Sequence, residues 1–595
     1  MTAEVILGVC AHTHDSSAAL FVGGSLIGFL EEDRLVDDKH TRAFPSEAAR
    51  LLLAAAGRGP DEVTAVAYTF DSSLYRHGRE RAMRRAGDPA RRRRAVHSYD
   101  SIAAAHAQTL RRLTAEFPCA AIVEVPHHRA HAFSAIAPQG WHDRDVLVVD
   151  SIGEAATTSM GGWNRAARSL DLRALTFDTD SLGYVYGALT DHLGFRMRDE
   201  EGTVMALAAY GDPSRFRALL ARAIPLTPRG FRVSTRLVRQ RVFGDSGNRL
   251  TDAFVLASIP RRAPGEELTQ DHADLAASLQ ERVEEVTAHL VGLRPGSGRS
   301  WAVAGGVATN CVAVGKLRDL PNVAELFVPP APGDSGTSLG AAVAVVLEKQ
   351  CLLAEVPASP YWGVEPAIPK AEEVRNRGFE VSGPHEERDL ARRVAAALAK
   401  NDILGIYRGA AEAGPRALGH RSIIANPLSP QVHDRLATRV KKRETFRPFA
   451  PMVLADRAAG YFDLRGCESP YMSLAVDARQ ELLHHAPTVI HRNGTARVQT
   501  VKAGTDAFLE ALLGRYEQLT GSPLLINTSL NMKGRPTAGS WQAALSCLTE
   551  MCLDGLVLGD LFVTSRGKGL PPTGDEPGSP WGLSRAEGGS QFHEG

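Results

Sequence analysis

The chain has 595 residues, 44% of them hydrophobic, with Lys+Arg and Asp+Glu balanced at 68 each. That length needs two or more domains, and the balanced charge gives no reason to expect nucleic acid or an anionic membrane as a partner. No apolar run approaches the ~20 residues of a transmembrane helix, and seven scattered cysteines without a Cys-x-x-Cys pair point to reduced thiols rather than a disulfide framework or zinc ribbon.

The first residues lack a basic signal-peptide start and run straight into a strand at 5–8, so a cytoplasmic location is expected. A loop holding His14 and Asp15 follows, then strands at 18–22 and 26–31 joined by the turn Gly23-Gly24. Two hairpin-linked strands framing a small polar loop resemble the start of actin-like and sugar-kinase-like ATPase halves. Helices are predicted at 46–56 and 101–116. The basic stretch 79–94, with four consecutive arginines at 91–94, reads as a solvated helix face or loop.

In VPHHRAHA (125–132), His127 and His131 stand four residues apart. On a helix they share one face with Cβ atoms about 5–6 Å apart, a spacing that lets two imidazoles hold one metal ion. The apolar run 145–150 reads as a buried strand delivering Asp150 at the edge where ligands of open α/β sheets collect. Asp334, in PGDSGT, sits where a glycine-rich turn opens a helix. Two imidazoles and two carboxylates suit a divalent iron, manganese, zinc or cobalt ion with open positions. The histidine pair read alone is equally a satisfied helix end, and Asp334 an ordinary N-cap. Gly305-Gly306 closes a second strand and permits close backbone approach to a phosphate or nucleotide.

Between 351 and 387 prolines and charges dominate, which predicts a linker at 353–384. A second α/β block over 385–566 follows, and a mobile tail is expected over 567–595. No internal repeat is visible. The second block gathers Arg416 and Arg421, then Lys441, Arg443 and Arg447, then Arg497, and a strand ending in Asn527, Thr528 and Ser529. Arginine forks bind phosphate with paired hydrogen bonds and lysine adds a point charge; together they would neutralise a triphosphate and a second acyl-phosphate anion.

With both halves in view, the chain resembles the bacterial O-carbamoyltransferases of natural-product tailoring, which include the nodulation-factor, cephamycin, tobramycin and ansamycin carbamoyltransferases. The resemblance spans residues 4–566 and rests on His14-Asp15, Glu31 to Arg34, Lys39-His40, His127 to His131, Asp150, Gly305 to Val307, Asp334, Gly414 to Gly419, Lys441 to Pro451, Arg497 and Asn527 to Ser529. It implies an α/β protein whose first domain, 1–352, is actin-like and similar to the tRNA threonylcarbamoyl transferase. The second domain is implied to be YrdC-like and to make carbamoyl-adenylate. The implied substrates are carbamoyl phosphate, ATP with Mg2+, and a hydroxylated natural-product acceptor, such as a sugar of a macrolide or aminoglycoside.

The resemblance carries His127, His131, Asp150 and Asp334 over as ligands of an iron-type centre. His14 becomes the base, Asp15 its orienting carboxylate and Lys39 a charge stabiliser. Gly305, Gly306, Val307 and Asn310, with Arg416, Arg421, Lys441, Arg443, Arg447, Arg497, Asn527, Thr528 and Ser529, become the nucleotide and acyl-phosphate contacts. Three positions depart from the family pattern: Thr203 for lysine, Ser151 for glycine and Arg535 for glutamate. A tRNA-modifying enzyme, a hydrogenase-maturation enzyme and an inactive binding module are the alternatives. Neutral charge disfavours the first, the lack of zinc-finger cysteines the second, and the intact ligand set the third. No nucleic-acid or membrane partner is expected, and the sequence leaves a homodimer open. Carbamoyl-adenylate hydrolyses in water, so the two domains are expected to face each other across an internal passage, with the linker outside.

Overall fold

A computed structural model of the chain describes residues 3–86, 89–239, 248–350 and 352–565; the tail expected at 567–595 lies outside them. The chain is a mixed α/β structure built on three large sheets. In the first unit, β1 (Val5–Cys10), β2 (Ser17–Val22), β3 (Ser25–Glu31), β4 (Ala65–Tyr68) and β5 (Ala121–Glu124) form a sheet ordered β3-β2-β1-β4-β5. The first three strands are an antiparallel meander; the last two run parallel to β1 and to each other. β1 is buried along its whole length, and its Val and Ile content suits a strand covered on both faces.

The second sheet contains β6 (Arg144–Val149), β7 (Ala156–Asn164), β8 (Ser169–Phe177), β9 (Arg299–Ala304) and β10 (Val323–Phe327). Its order is β8-β7-β6-β9-β10, again a meander followed by two parallel strands. The two sheets therefore repeat one topology, although the sequence shows no repeat. Strand order survives when only the alternation of buried positions is kept, so residue identity need not repeat.

Two helices are packed close together beside the cleft. In helix His127–Ile136 every residue but Arg129 is buried. It lies against helix Thr337–Gln350 at Gly340, where a Cβ would fall only 1.8 Å from the Ala130 carbonyl oxygen. The glycine is what permits this approach.

The second unit is built on an eight-stranded sheet. Its strands are β11 (Phe379–Ser382), β12 (Leu404–Tyr407), β13 (Arg421–Ala425), β14 (Ala450–Leu454), β15 (Gln499–Val501), β16 (Leu525–Ser529), β17 (Gly555–Leu558) and β18 (Leu561–Ser565). The order is β11-β18-β17-β12-β13-β16-β14-β15. β11 corrects the expected linker, because residues read as connection at 379–382 pair with β18 and belong to the second unit.

Helix Ala371–Asn376 also belongs to the second unit, and the part before it, around residues 355–363, is a strap held to both units. Leu26 N donates to Glu355 O at 3.0 Å and Phe29 N to Trp362 O at 2.7 Å. On the other side, Gly363 N donates to Ala411 O at 2.9 Å and the Tyr361 ring stacks on His420 at 3.6 Å. Proline removes donors but leaves carbonyls free, so a proline-rich stretch can still be bonded along its length. The units themselves share one apolar core, which runs from Trp301 and Leu317 to Phe462 and Val476. Ala475 N donates across it to Cys311 O at 2.9 Å.

Candidate active site

Helix His127–Ile136 presents His127 and His131 on one face, their Nε2 atoms 3.1 Å apart. Asp150 follows β6 directly, and its Oδ2 lies 3.6 Å from His127 Nε2. Asp334 Oδ1 lies 3.5 Å from His127 Nε2 and 3.6 Å from His131 Nε2. All four residues are buried. Metal–nitrogen and metal–oxygen bonds of about 2.1 Å put neighbouring donors roughly 3.0–3.4 Å apart, so these separations fit one ion.

The surrounding bonds fix the donors. His127 Nδ1 faces Thr69 O at 3.3 Å, which favours the tautomer whose Nε2 lone pair points at the cluster. The Phe70 ring stacks on His127 with centroids 4.5 Å apart, and Gly306 N donates to Asp150 Oδ1 at 3.1 Å. Burial alone would lower the His127 pKa and raise those of Asp150 and Asp334. The facing opposite charges reverse this, holding His127 well above the imidazole range and both carboxyls below theirs. The pocket is built around a positive charge.

A second cluster adjoins it, on the turn after β1. His14 Nδ1 meets Asp15 Oδ2 at 2.8 Å, and His40 Nδ1 meets Asp15 Oδ1 at 2.6 Å. Asp199 closes the group, with Oδ1 3.3 Å from His40 Nε2 and paired to Lys39. Burial opposes charge on His14 and His40, but Asp15, and for His40 also Asp199, outweighs it. His14 is raised, and His40 is pushed up to about 10. Asp334 also acts electrostatically on His14, so the two clusters are neighbours. With Asp15 on Nδ1, His14 Nε2 is the basic nitrogen. His40 and Asp199 were missed as site members; the only sequence signal was the position of His40 beside Lys39.

The second cluster lines a cavity of about 1030 Å³, as do Asp150 and Asp334 of the first, with His127 and His131 buried behind them; the cavity extends into the second unit. There its wall includes Arg416, Lys441, Arg443, Arg447 and Arg497, together with Asn527, Thr528 and Ser529. Lys441 Nζ donates to Ser529 O at 2.8 Å, Asn531 Oδ1 at 2.8 Å and Asn531 O at 3.0 Å. Burial, then Arg443, lowers Lys441 to about 7; burial, then Arg497, lowers Arg416 to about 9. The buried Nε–H groups of Arg443 and Arg497 have no hydrogen-bond partner among the described residues. Crowded cations with spare donors are a binding site for anions.

Gly306, Val307 and Asn310 also line the cavity. The Asn310 side chain is tied to Gln280 at 2.9 Å and caps a helix through Ala313 N. Gly305 stands behind them at φ 93°, where a Cβ would lie 2.3 Å from Val149 O. Arg421 is not brought to the cavity. Its guanidinium donates to Arg408 O at 2.6 Å and Gly409 O at 2.9 Å and lies 4.0 Å over the Tyr407 ring. Its expected role as a phosphate contact is replaced by an internal structural one, because three neighbouring carbonyls take its donors. Asn527 is turned inward, donating to Gln499 Oε1 at 2.7 Å. Of the departures from the family pattern, Thr203 is buried behind the wall, while Ser151 and Arg535 line it.

Residues 5–343 match the family model described as Carbamoyltransferase N-terminus, and residues 395–565 match Carbamoyltransferase C-terminus. The chain belongs to the carbamoyltransferase family and is a carbamoyltransferase. It is 33% identical to the nodulation protein NolNO of Sinorhizobium fredii, over 93% of this chain and 79% of that protein. An uncharacterized protein of Synechocystis, sll1178, is 31% identical over 93% of this chain and 95% of its own length. The crystal structure of T. kodakarensis HypF is similar at 13% identity, covering 59% of this chain and 49% of that one with a TM-score of 0.29. No helix among the described residues is long and apolar enough to cross a membrane.

Proposed function

We propose that the protein moves the carbamoyl group of carbamoyl phosphate to a hydroxyl of a natural-product acceptor, in ATP-dependent steps within one cavity. The observation that carries this reading is the continuity of that cavity from the cationic pocket to His14 and to Asp150 and Asp334. In the cationic pocket carbamoyl phosphate is hydrolysed to carbamate and phosphate. A carbamate oxygen then attacks the α-phosphorus of ATP, brought with Mg2+, releasing pyrophosphate and leaving carbamoyl-adenylate. Arg416, Lys441, Arg443, Arg447 and Arg497 neutralise the phosphates and hold them in line.

The mixed anhydride then crosses the cavity to the first unit. His14 Nε2 takes the proton of the acceptor hydroxyl, the oxygen attacks the carbamoyl carbon, and AMP leaves. Asp15 orients the imidazole and stabilises its charged form, while His40, Lys39 and Asp199 hold Asp15 and the cavity edge in place. A divalent iron, manganese, zinc or cobalt ion held by His127, His131, Asp150 and Asp334 would supply Lewis-acid polarisation. The duplicated strand order supports an actin-like first unit, and the basic face of the second unit supports a YrdC-like role.

The test is mass spectrometry of hydroxylated natural products incubated with the full chain, carbamoyl phosphate and ATP. One product should gain a single carbamoyl group, with AMP and pyrophosphate formed in equal amounts. Absence of carbamoyl-phosphate-dependent pyrophosphate release would remove the adenylate from the scheme.

A further inference from the structure

His127 makes the closest contacts within the proposed metal centre, lying 3.1 Å from His131, 3.6 Å from Asp150 and 3.5 Å from Asp334. Its placement is decided at the backbone as well as at the ring. It is the first residue of helix His127–Ile136, and Pro126 before it gives that helix no side-chain cap. The first amides of a helix have no partner within it, and a buried one must find an acceptor elsewhere.

Glu154 supplies that acceptor. Its Oε1 accepts from His127 N at 3.0 Å and also from Asp71 N at 2.8 Å. Glu154 is buried and belongs to the turn from β6 to β7 that begins at Asp150. Backbone bonds close the turn, from Asp150 N to Thr157 O at 2.9 Å and from Gly153 N to Ala156 O at 2.8 Å. It lies directly on the helix: a Cβ at Gly153 would come within 3.2 Å of the His127 Cβ. One short turn therefore grips His127 twice, with Asp150 facing its Nε2 and Glu154 its amide.

The second bond of Glu154 reaches the loop after β4, on the other sheet. Asp71 directly follows the two residues that set the His127 ring, Thr69 through its carbonyl and Phe70 by stacking at 4.5 Å. Asp71 in turn caps helix Ser72–Arg85, accepting from Ser73 N at 2.9 Å. A single carboxylate oxygen thus joins the turn that carries Asp150, the amide of His127 and the loop that orients its ring. A serine or aspartate at position 126 could cap the helix locally. A carboxylate brought from the opposite sheet adds what a local cap cannot, a fixed distance between the Asp150 turn and His127. Glu154 itself stands behind the cavity wall that Asp150 to Gly153 form, and its Oε1 is spent on backbone amides.

We infer that Glu154 is a positioning residue of the carbamoyl-transfer site, holding His127, its ring-orienting loop and Asp150 at metal-binding separation. The inference rests on the metal assignment made above. It adds to the four donors a carboxylate that touches neither metal nor substrate and acts through His127.

Titration of the metal-stripped full chain with Co2+, followed by visible absorption, reads this geometry without turnover. Glu154→Ala should weaken Co2+ binding about 10–100-fold. Glu154→Gln keeps an oxygen acceptor at the same reach and should restore affinity to within about fivefold of the wild type. Glu154→Asp keeps the charge but draws the carboxylate back by one methylene, and should bind as weakly as the alanine variant. A carboxylate that only stabilised the fold would lower the thermal melt and leave the Co2+ affinity and spectrum of the folded protein unmoved. Unchanged affinity in Glu154→Asp would overturn the inference, and so would a glutamine variant as weak as alanine. The glutamine and aspartate variants decide the matter even if Glu154→Ala does not fold. A wild-type chain that binds no Co2+ would sink the metal assignment and the inference together. Equal Co2+ affinity in the wild type and Glu154→Asp would sink the inference alone.

Discussion

Arg34 of the first unit donates to the backbone oxygen of Glu412 in the second at 2.6 Å, and also to that of Gly414. The same guanidinium pairs with Glu31, only 8% exposed, at 2.5 Å. Burial pushes the Glu31 carboxyl up to about 7 against the pull of Arg34, so the pair is a buried charge held between units. Arg34→Ala should cost about 3–5 kcal/mol in chemical denaturation, because it strips a buried acid of its partner and removes two hydrogen bonds to second-unit carbonyls. Adding Glu31→Gln should return part of that loss. A cost near zero would mean that the units are held together elsewhere.

Removing one of the four proposed metal donors should separate the two proposed half-reactions. His131→Ala should lower bound divalent metal, read by elemental analysis, and reduce acceptor carbamoylation by about 100-fold or more. Carbamoyl-phosphate-dependent ATP–pyrophosphate exchange should persist, since it belongs to the other end of the cavity. Full carbamoylation in chelator-treated His131→Ala protein would refute the metal assignment.

Lys441 gives the proposed phosphate pocket a pH dependence with a definite sign. Its amine is charged below about 7 in the ligand-free protein and neutral above. Binding a triphosphate favours the charged form, so ATP affinity should fall as pH rises from 7 to 9, by at most about tenfold per unit. Calorimetry in buffers of different ionisation enthalpy should record proton uptake on binding above pH 7. Lys441→Met should show weaker binding and a flatter profile; an unchanged slope would put the proton elsewhere.

Arg421 and Arg497 should separate, although sequence treats them alike. Arg421→Ala loses hydrogen bonds to backbone oxygens and a ring contact, and should destabilise the fold by about 2–4 kcal/mol. Arg497→Ala should leave the melting transition almost unchanged and raise the KM for ATP. The reverse pattern would restore Arg421 to the phosphate pocket.

Hydroxylamine in bulk solvent offers a test of passage. If carbamoyl-adenylate crosses the cavity without leaving it, added hydroxylamine should not reduce carbamoylated product at concentrations that trap free adenylate. Capture of most of the carbamoyl group would mean release between steps.

The convergence of His127, His131 and Asp150 was legible because two periodicities place them: i and i+4 for the histidines, and the end of a buried strand for Asp150. Charge clusters were legible as clusters but not as directions. Nothing in the sequence around Arg421 shows that its guanidinium turns back onto Arg408 and Gly409, since that depends on which carbonyls are left unpaired. Asp199 was invisible because it meets Lys39 and His40 from 160 residues away. β11 hid in a proline-rich stretch because four residues paired at a sheet edge need no distinct hydrophobic run.

The duplicated topology has a mechanical consequence. His14 and Asp15 sit on the turn between β1 and β2, and Asp150 on the matching turn between β6 and β7. The Thr69 carbonyl after β4 faces His127, while Gly306 after β9 binds Asp150, again at matching ends of equivalent strands. The proposed proton acceptor and the proposed metal-binding carboxylate thus hang from opposite jaws of a pseudo-symmetric clamp. Any pivot of one jaw against the other changes their separation without breaking a bond inside either sheet.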